Sequence, residues 1–175
     1  MKNLGLTVQR VDSVKSVARS GLWLSGRLAQ PYNIEAFEIP IPQSNIDGYL
    51  EIQRGCEMPI TIHFGNPDPV KAIKAGMNDS FIIAYPDSRA ANVKREATIA
   101  ESAHSSLWIQ ITTTYLMHLA ATMTNATMSS ITLNCLRAFD IIKPAIQIEH
   151  GYATVPDKPG LGIELDEDAL ENCRV

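Results

Sequence analysis

The chain has 175 residues, of which 45% are hydrophobic and 19% are charged. This balance is typical of a globular protein and argues against a disordered chain. Lys and Arg number 15 and Asp and Glu number 19, so the net charge of −4 gives no support for a nucleic-acid partner. No apolar run approaches the roughly 18 residues that cross a bilayer, so we predict no membrane partner. The length predicts one domain over residues 1–175.

The three cysteines, Cys56, Cys135 and Cys173, are far apart in the sequence. They form no CxxC pair, which argues against a zinc site and against a disulfide framework. Scattered thiols are typical of a reducing compartment, and residues 1–10 carry no apolar signal core, so we expect a cytoplasmic protein. No base that would activate a thiol is recognisable, so a cysteine nucleophile is not predicted.

Five short, largely apolar runs predict β-strands. In chain order they are Leu6–Val11, Ile34–Ile39, Pro59–Phe64, Ser80–Tyr85 and Leu107–Ile111. Helical stretches lie between them, at Ser13–Gln30, Asn45–Cys56, Asp68–Ala75 and Asn92–Ser105. Gly76 follows the third of these as a predicted C-terminal cap. Alternation of strand and helix predicts right-handed βαβ units and a parallel sheet, which is an α/β fold.

The pattern changes after Ile111. Thr112–Thr124 is predicted to be a buried helix. The pattern of Ser129–Phe139 is compatible with either a helix or a loop. Ala145–Thr154 alternates apolar and polar residues around His150 and Gly151, which predicts a hairpin. Glu164–Leu170 is predicted to be the acidic, capped start of a short terminal helix.

Four segments together resemble the enolase superfamily, in its mandelate racemase and muconate-lactonizing group. The longest is Gly151–Leu170 (GYATVPDKPGLGIELDEDAL), and the second is Pro31–Pro42 (PYNIEAFEIPIP), which is similar to the strand with the family's E-x-P metal-ligand motif. Ser80–Asp87 with Val93–His104, and His118–Asn125, are weaker matches. The four run in family order along nearly the whole chain.

The resemblance implies a partial TIM-type (β/α) barrel of about five βα units, followed by a hairpin and a tail. It also implies that the family's N-terminal capping domain and first barrel strands are absent, because a complete barrel takes about 250 residues. Family members are lyases and isomerases, including acid-sugar dehydratases. They bind Mg²⁺ through three carboxylates at strand ends, abstract a proton α to a carboxylate and stabilise the enediolate on the metal.

The resemblance places the second metal ligand at Glu38, which matches the family pattern. The first ligand position falls on Gln9, with Val11 beside it and Asp12 three residues late. The third falls on Phe64, next to His63 and Asn66. A hard cation needs several oxygen ligands, so two of the three positions are predicted to be lost. The alternative interpretation of Glu38 is a solvated strand-end acid. His63 is a candidate replacement ligand, with a structural role as the alternative.

The acid–base residues implied by the resemblance are also only partly matched. Asp87 matches the family's catalytic Asp, with a turn or N-cap role as the alternative. The partner His would lie at the end of Leu107–Ile111, but Gln110, Ile111 and Thr112 occupy that region. His104 is expected inside the preceding helix, and His118 and His150 are interpreted as packing and turn residues. The strand that would carry the family's lysine bases would precede Leu6.

These observations predict a family relative that does not catalyse the ancestral reaction as an isolated chain. The first alternative is a Mg²⁺-dependent lyase or isomerase that acts on a small carboxylate, with Glu38, Asp87 and either Asp12 or His63 converging on the metal. The second is a binding module or half-enzyme completed by a companion chain. Unpaired sheet edges are templates for association, so we expect a homo-oligomer or a complex that covers them.

Overall fold

The computed structural model describes residues 28, 30–32, 34–84, 88–110, 113–130, 136 and 138–173. The predicted strand Leu6–Val11 lies outside these residues. Of the predicted helix Ser13–Gln30, only Leu28 and Gln30 lie within them, and a short 3-10 helix occupies Gln30–Tyr32. In the part of the chain that is described, no helix is long and apolar enough to cross a membrane.

Four parallel strands form the central sheet, in the order β1-β2-β3-β4. The strands are β1 Phe37–Glu38, β2 Ile60–His63, β3 Ser80–Ile83 and β4 Ser106–Ile109. A helix follows each strand: α1 Ile46–Gly55, α2 Pro69–Ala75, α3 Ala90–Ser102 and α4 Thr114–Ala121. The predicted α/β fold with parallel βα units is therefore confirmed, with helix α3 ending before His104.

Polar caps fix the helix boundaries close to their predicted positions. Asn45 begins α1 by accepting a hydrogen bond from the Gly48 N–H, and Asp68 begins α2 by accepting one from Lys71. Gly76 ends α2 in the left-handed region, with φ 96°. A side chain is strained in that conformation, so glycine is favoured there, as the sequence predicted.

The two faces of the sheet differ in chemistry because side chains alternate along each strand. The face that packs on the helices, which we call the apolar face, carries Phe37, Ile60, Ile62, Phe81, Ile83, Leu107 and Ile109. The opposite face, which we call the polar face, carries Glu38, Thr61, His63, Ser80, Ile82, Ser106 and Trp108. The apolar face is continuous with the helices in one buried core.

The segment Asn125–Ser130, after α4, lies beside β4 and also reaches across the polar face. The Leu107 N–H donates to the Asn125 carbonyl at 2.8 Å, so this segment lies along the outer side of β4. Thr127 donates to the Ser106 hydroxyl at 3.1 Å, and Ser129 N–H donates to the Glu35 carboxylate at 2.7 Å. The chain's own segment thus covers part of the β4 edge.

The C-terminal part contains small antiparallel pairs. Strands β6 Ile148–Glu149 and β7 Tyr152–Ala153 form the predicted hairpin, with both turn residues, His150 and Gly151, at positive φ. Strand β5 Ile142–Lys143 pairs with β8 Glu164–Leu165. Helix α5 begins only at Glu167, capped by Asp166, so the first residues of the predicted terminal helix are in a strand.

Candidate functional site

The candidate site lies at the edge of the sheet where the parallel strands end. Glu38 is the last residue of β1 and His63 is the last residue of β2. Ala84 and Gln110 directly follow β3 and β4. In (β/α) barrels this C-terminal edge is where catalytic groups are placed.

Glu38 and His63 lie on the polar face of adjacent strands. Glu38 is in register with Thr61, and His63 lies two residues further along the same strand. Both side chains are half-buried. The chain turns away directly after Glu38, because Ile39 has a φ of 43° while its N–H still donates to the Thr61 carbonyl. One carboxylate and one imidazole therefore occupy neighbouring positions at this edge.

His63 is held by the loop that follows β1. Its backbone N–H donates to the Gln43 side-chain oxygen at 2.6 Å, and the Tyr49 hydroxyl fixes the same loop by donating to the Ile41 carbonyl at 2.8 Å. Burial lowers the pKa of the His63 imidazole, since the charged form loses hydration. A neutral imidazole is a possible ligand for soft or borderline metals, whereas Mg²⁺ prefers oxygen.

Phe64 occupies the third ligand position implied by the resemblance, and its side chain packs against the core. Its ring meets the Phe81 ring edge to face, with centroids 5.4 Å apart and an interplanar angle of 74°. Its N–H donates to the Ile82 carbonyl at 3.0 Å, which fixes the backbone directly after β2. An aromatic ring in this position supplies no ligand oxygen.

The donor set that the structure describes does not fit a Mg²⁺ site of three carboxylates. Within that part of the chain, no group of three or more His, Cys, Asp or Glu side chains is close enough to hold a metal ion. Glu38 and Phe64 are the two implied ligand positions that are described. Gln9, Val11 and Asp12, which surround the first implied position, lie outside the described residues.

The predicted acid–base residues are also only partly described. Asp87 lies outside the described residues, so its catalytic role stays a prediction. Gln110, the first residue of the region implied for the partner His, directly follows β4, and Ile111 and Thr112 lie outside the described residues. His104 lies in the turn after α3, with φ 56°, and not inside the helix as expected. His118 is half-buried, with its Nε2 3.2 Å from the Leu161 carbonyl oxygen.

Three residues at this edge were missed by sequence reasoning. Gln43 holds the His63 backbone from 20 residues away, and nothing in the local sequence signals such a contact. Thr113 and Thr114 begin α4 at the same edge of the sheet, and their hydroxyls could have been noticed in the run of threonines from Thr112.

Comparison with known proteins gives a consistent set of relatives. A family model described as enolase C-terminal domain-like matches residues 10–169. The D-galactarolactone cycloisomerase of Agrobacterium fabrum is 26% identical, over 86% of this chain and 44% of that protein.

Solved structures share the fold. A muconate lactonizing enzyme from Pseudomonas fluorescens, complexed with muconolactone, matches with a TM-score of 0.80 and 22% identity over 95% of this chain and 48% of its own. A dipeptide epimerase from Cytophaga hutchinsonii, complexed with Mg and the dipeptide D-Ala-L-Val, matches with a TM-score of 0.79 and 20% identity over 93% and 47%. The chain thus spans about half the length of the relatives it matches.

Proposed function

Because the chain belongs to the enolase C-terminal domain-like family, we propose that it is a member that does not carry out Mg²⁺-dependent α-proton abstraction as an isolated chain. Instead, it serves as a binding module that retains part of the family's (β/α) barrel, which we call the half-barrel. The observation that carries this proposal is Phe64, whose ring packs on Phe81 where the family resemblance implies a metal-binding acid.

The physical reason concerns the charge that proton abstraction creates. A proton α to a carboxylate is very weakly acidic, and the enediolate formed by its removal needs positive charge placed where the negative charge develops. Glu38 contributes one carboxylate to the described edge. Half-buried His63 favours the neutral form, and Phe64 is apolar. These three side chains supply too few oxygen ligands for a divalent cation of the hard type.

The test is exchange of the substrate α-proton for deuterium, followed by proton NMR in D₂O with Mg²⁺ and a panel of acid sugars. The D-galactarolactone cycloisomerase of Agrobacterium fabrum is the positive control. We expect the purified chain to give no exchange above buffer. Mg²⁺-dependent exchange that is lost in Glu38→Gln would overturn the proposal. If the exchange is lost in Asp87→Asn as well, the result favours the alternative of a Mg²⁺-dependent lyase or isomerase with a rearranged site.

We also propose that the chain associates with a second copy of itself. Large apolar side chains are exposed in its C-terminal part, with Leu136 76%, Phe139 60% and Leu165 60% accessible. Exposed apolar side chains in one part of a protein favour association when they are contiguous. The β4 edge is partly covered by the chain's own Asn125–Ser130. Less of the sheet edge that we expected to drive association is therefore exposed on that side.

Light scattering coupled to gel filtration tests this association. We expect a dimer or a larger assembly whose mass falls toward the monomer in Leu165→Lys, because a charge at a buried contact is costly. Val70→Lys is the matched control, since Val70 is 64% exposed but belongs to α2 and not to the C-terminal part. A monodisperse wild-type monomer contradicts the proposal.

A further inference from the structure

One surface near the C-terminal end of the chain combines exposed apolar side chains with a connected backbone. It comprises residues 140–143 and 164–171, which pair as β5 and β8 and continue into α5, and we call it the C-terminal surface. Leu165, Leu170 and Ile141 on this surface are 60%, 42% and 38% exposed. Because the strand pairing holds the two parts together, these apolar side chains belong to one unit of structure, as expected for a contact with another protein.

The C-terminal surface is also strongly acidic. It carries one basic side chain, Lys143, against six acidic ones, so its net charge is −5. Lys143 pairs with Asp166 at 2.9 Å, and Glu164, Glu167 and Asp168 are exposed. A symmetric contact between the C-terminal surfaces of two copies would bring like charges together, which is unfavourable. The charge therefore favours a contact with a basic surface.

The first part of the chain has the opposite charge. Residues 1–33, which we call the N-terminal segment, have a net charge of +4, from five basic side chains and one acidic: Lys2, Arg10, Lys15, Arg19 and Arg27 against Asp12. In the predicted helix Ser13–Gln30, the last three basic residues are separated by multiples of four positions, a spacing that puts them along one side of a helix. The sequence of this segment thus predicts a basic surface complementary to the C-terminal surface.

Exposed apolar side chains also lie at the end of the N-terminal segment. Leu28 is helical and 63% exposed, and Tyr32, in the 3-10 helix, is 69% exposed. Because Leu165 is 60% exposed as well, these three side chains do not cover one another within one chain. The apolar residues of both surfaces are thus available for contact between different copies.

We propose that the C-terminal surface of one copy docks on the N-terminal segment of a second copy. This inference rests on the self-association proposed above and specifies which surfaces meet. Acidic side chains of one copy then face basic side chains of the next, and Leu165 and Leu170 bury apolar area against Leu28 and Tyr32. Because the two surfaces differ, the contact is head-to-tail, and the copies join into a closed ring or an open chain.

Charge reversal on either surface tests this contact, with the assembled mass measured by light scattering coupled to gel filtration. Glu167→Lys/Glu171→Lys changes exposed residues near the two ends of α5, where the effects on the helix dipole oppose each other. Lys15→Glu/Arg19→Glu changes the N-terminal segment. We expect the dissociation constant of each double variant to rise about tenfold, because attraction between the surfaces is replaced by repulsion.

A mixture, a control and a salt series sharpen this test. In an equimolar mixture of the two double variants, the new lysines of one can face the new glutamates of the other, so we expect the assembled mass to return. Asp47→Lys/Glu57→Lys is the matched control, since it changes the net charge as much as the α5 variant does, at exposed residues in and after α1. We expect wild-type mass for the control, and weaker wild-type association at about 500 mM than at about 50 mM sodium chloride.

The outcomes separate this contact from self-association in general. If the wild type associates and neither double variant lowers its mass, the head-to-tail contact is wrong and the proposed self-association stands. Stronger association of Glu167→Lys/Glu171→Lys, or of the wild type at high salt, would show a symmetric contact between C-terminal surfaces and would also overturn the inference. A wild-type monomer at every concentration contradicts both proposals.

Discussion

The apolar and polar faces of the sheet are under different constraints. The apolar face packs on the helices through side chains such as Leu107 and Phe81, which are 0% and 1% exposed. The polar face carries hydroxyls, one imidazole and one carboxylate beside the buried Ile82 and Trp108, and it ends at the edge where the family resemblance implies catalysis. Both faces are therefore buried in the middle of the sheet, whereas Glu38 and His63, at the strand ends, are half-buried. The difference teaches that the fold depends least on the chemistry of these strand ends.

The largest expected effect comes from removing a side chain of the apolar face. Leu107→Ala leaves a cavity in the core and should lower the free energy of unfolding by about 3 kcal/mol. The neighbouring Ser106→Ala, on the polar face, removes a hydrogen bond with the Thr127 hydroxyl and should cost less than about 1 kcal/mol. Urea unfolding of both variants measures the difference, and equal losses would contradict the distinction between the faces.

A smaller loss of stability is expected from removing the hydroxyl of Tyr49, in helix α1. Tyr49 is 1% exposed, and its hydroxyl donates to the Ile41 carbonyl at 2.8 Å. Tyr49→Phe leaves that carbonyl without its donor and should lower the free energy of unfolding by about 1 kcal/mol. Tyr32→Phe, at a residue that is 69% exposed, is the control and should change nothing measurable in the same urea experiment.

Tyr49 also predicts an alkaline limit to stability. Burial raises the pKa of its phenol above the ordinary value, so the folded state keeps the proton that the unfolded state releases. The free energy of unfolding should therefore fall as pH rises above about 10, and Tyr49→Phe should lack this part of the fall. Thermal unfolding of the two proteins between neutral and alkaline pH provides the test, and profiles of the same slope would count against it.

The smallest expected effect concerns His63 on the polar face. Burial lowers the pKa of its imidazole, so the unfolded chain takes up a proton before the folded chain does. The free energy of unfolding should fall as pH drops below about 6.5, and His63→Gln should show a shallower fall. Denaturant unfolding at a series of acidic pH values measures the slope for each protein. Superimposed profiles would show that folding does not lower the pKa of the His63 imidazole.

Much of the fold could be predicted because its signals are local. Short apolar runs placed β2, β3 and β4 within one or two residues, and Asn45, Asp68 and Gly76 marked helix ends through their own side chains or backbone. Glu164 and Leu165 were misassigned to a helix, because their pairing with β5 depends on residues more than 20 positions earlier, which no local pattern reveals.

The candidate site could be predicted only in part. The resemblance indicated Glu38 and the apolar substitution at Phe64; Glu38 ends β1 and Phe64 directly follows β2. The contact between the Phe64 and Phe81 rings and the hydrogen bond from His63 to Gln43 join residues distant in sequence. Such contacts follow from the packing of the whole sheet, so the sequence pattern of one segment does not contain them.

The most direct test of the central claim is a Mn²⁺ titration followed by electron paramagnetic resonance, with Mn²⁺ as a spectroscopic substitute for Mg²⁺. The proposed absence of a working three-carboxylate site predicts that added Mn²⁺ remains free, with the same signal for wild type and Glu38→Gln. One saturable Mn²⁺ ion per chain that disappears in Glu38→Gln would contradict it, because a cation would then be held at the edge where Phe64 stands.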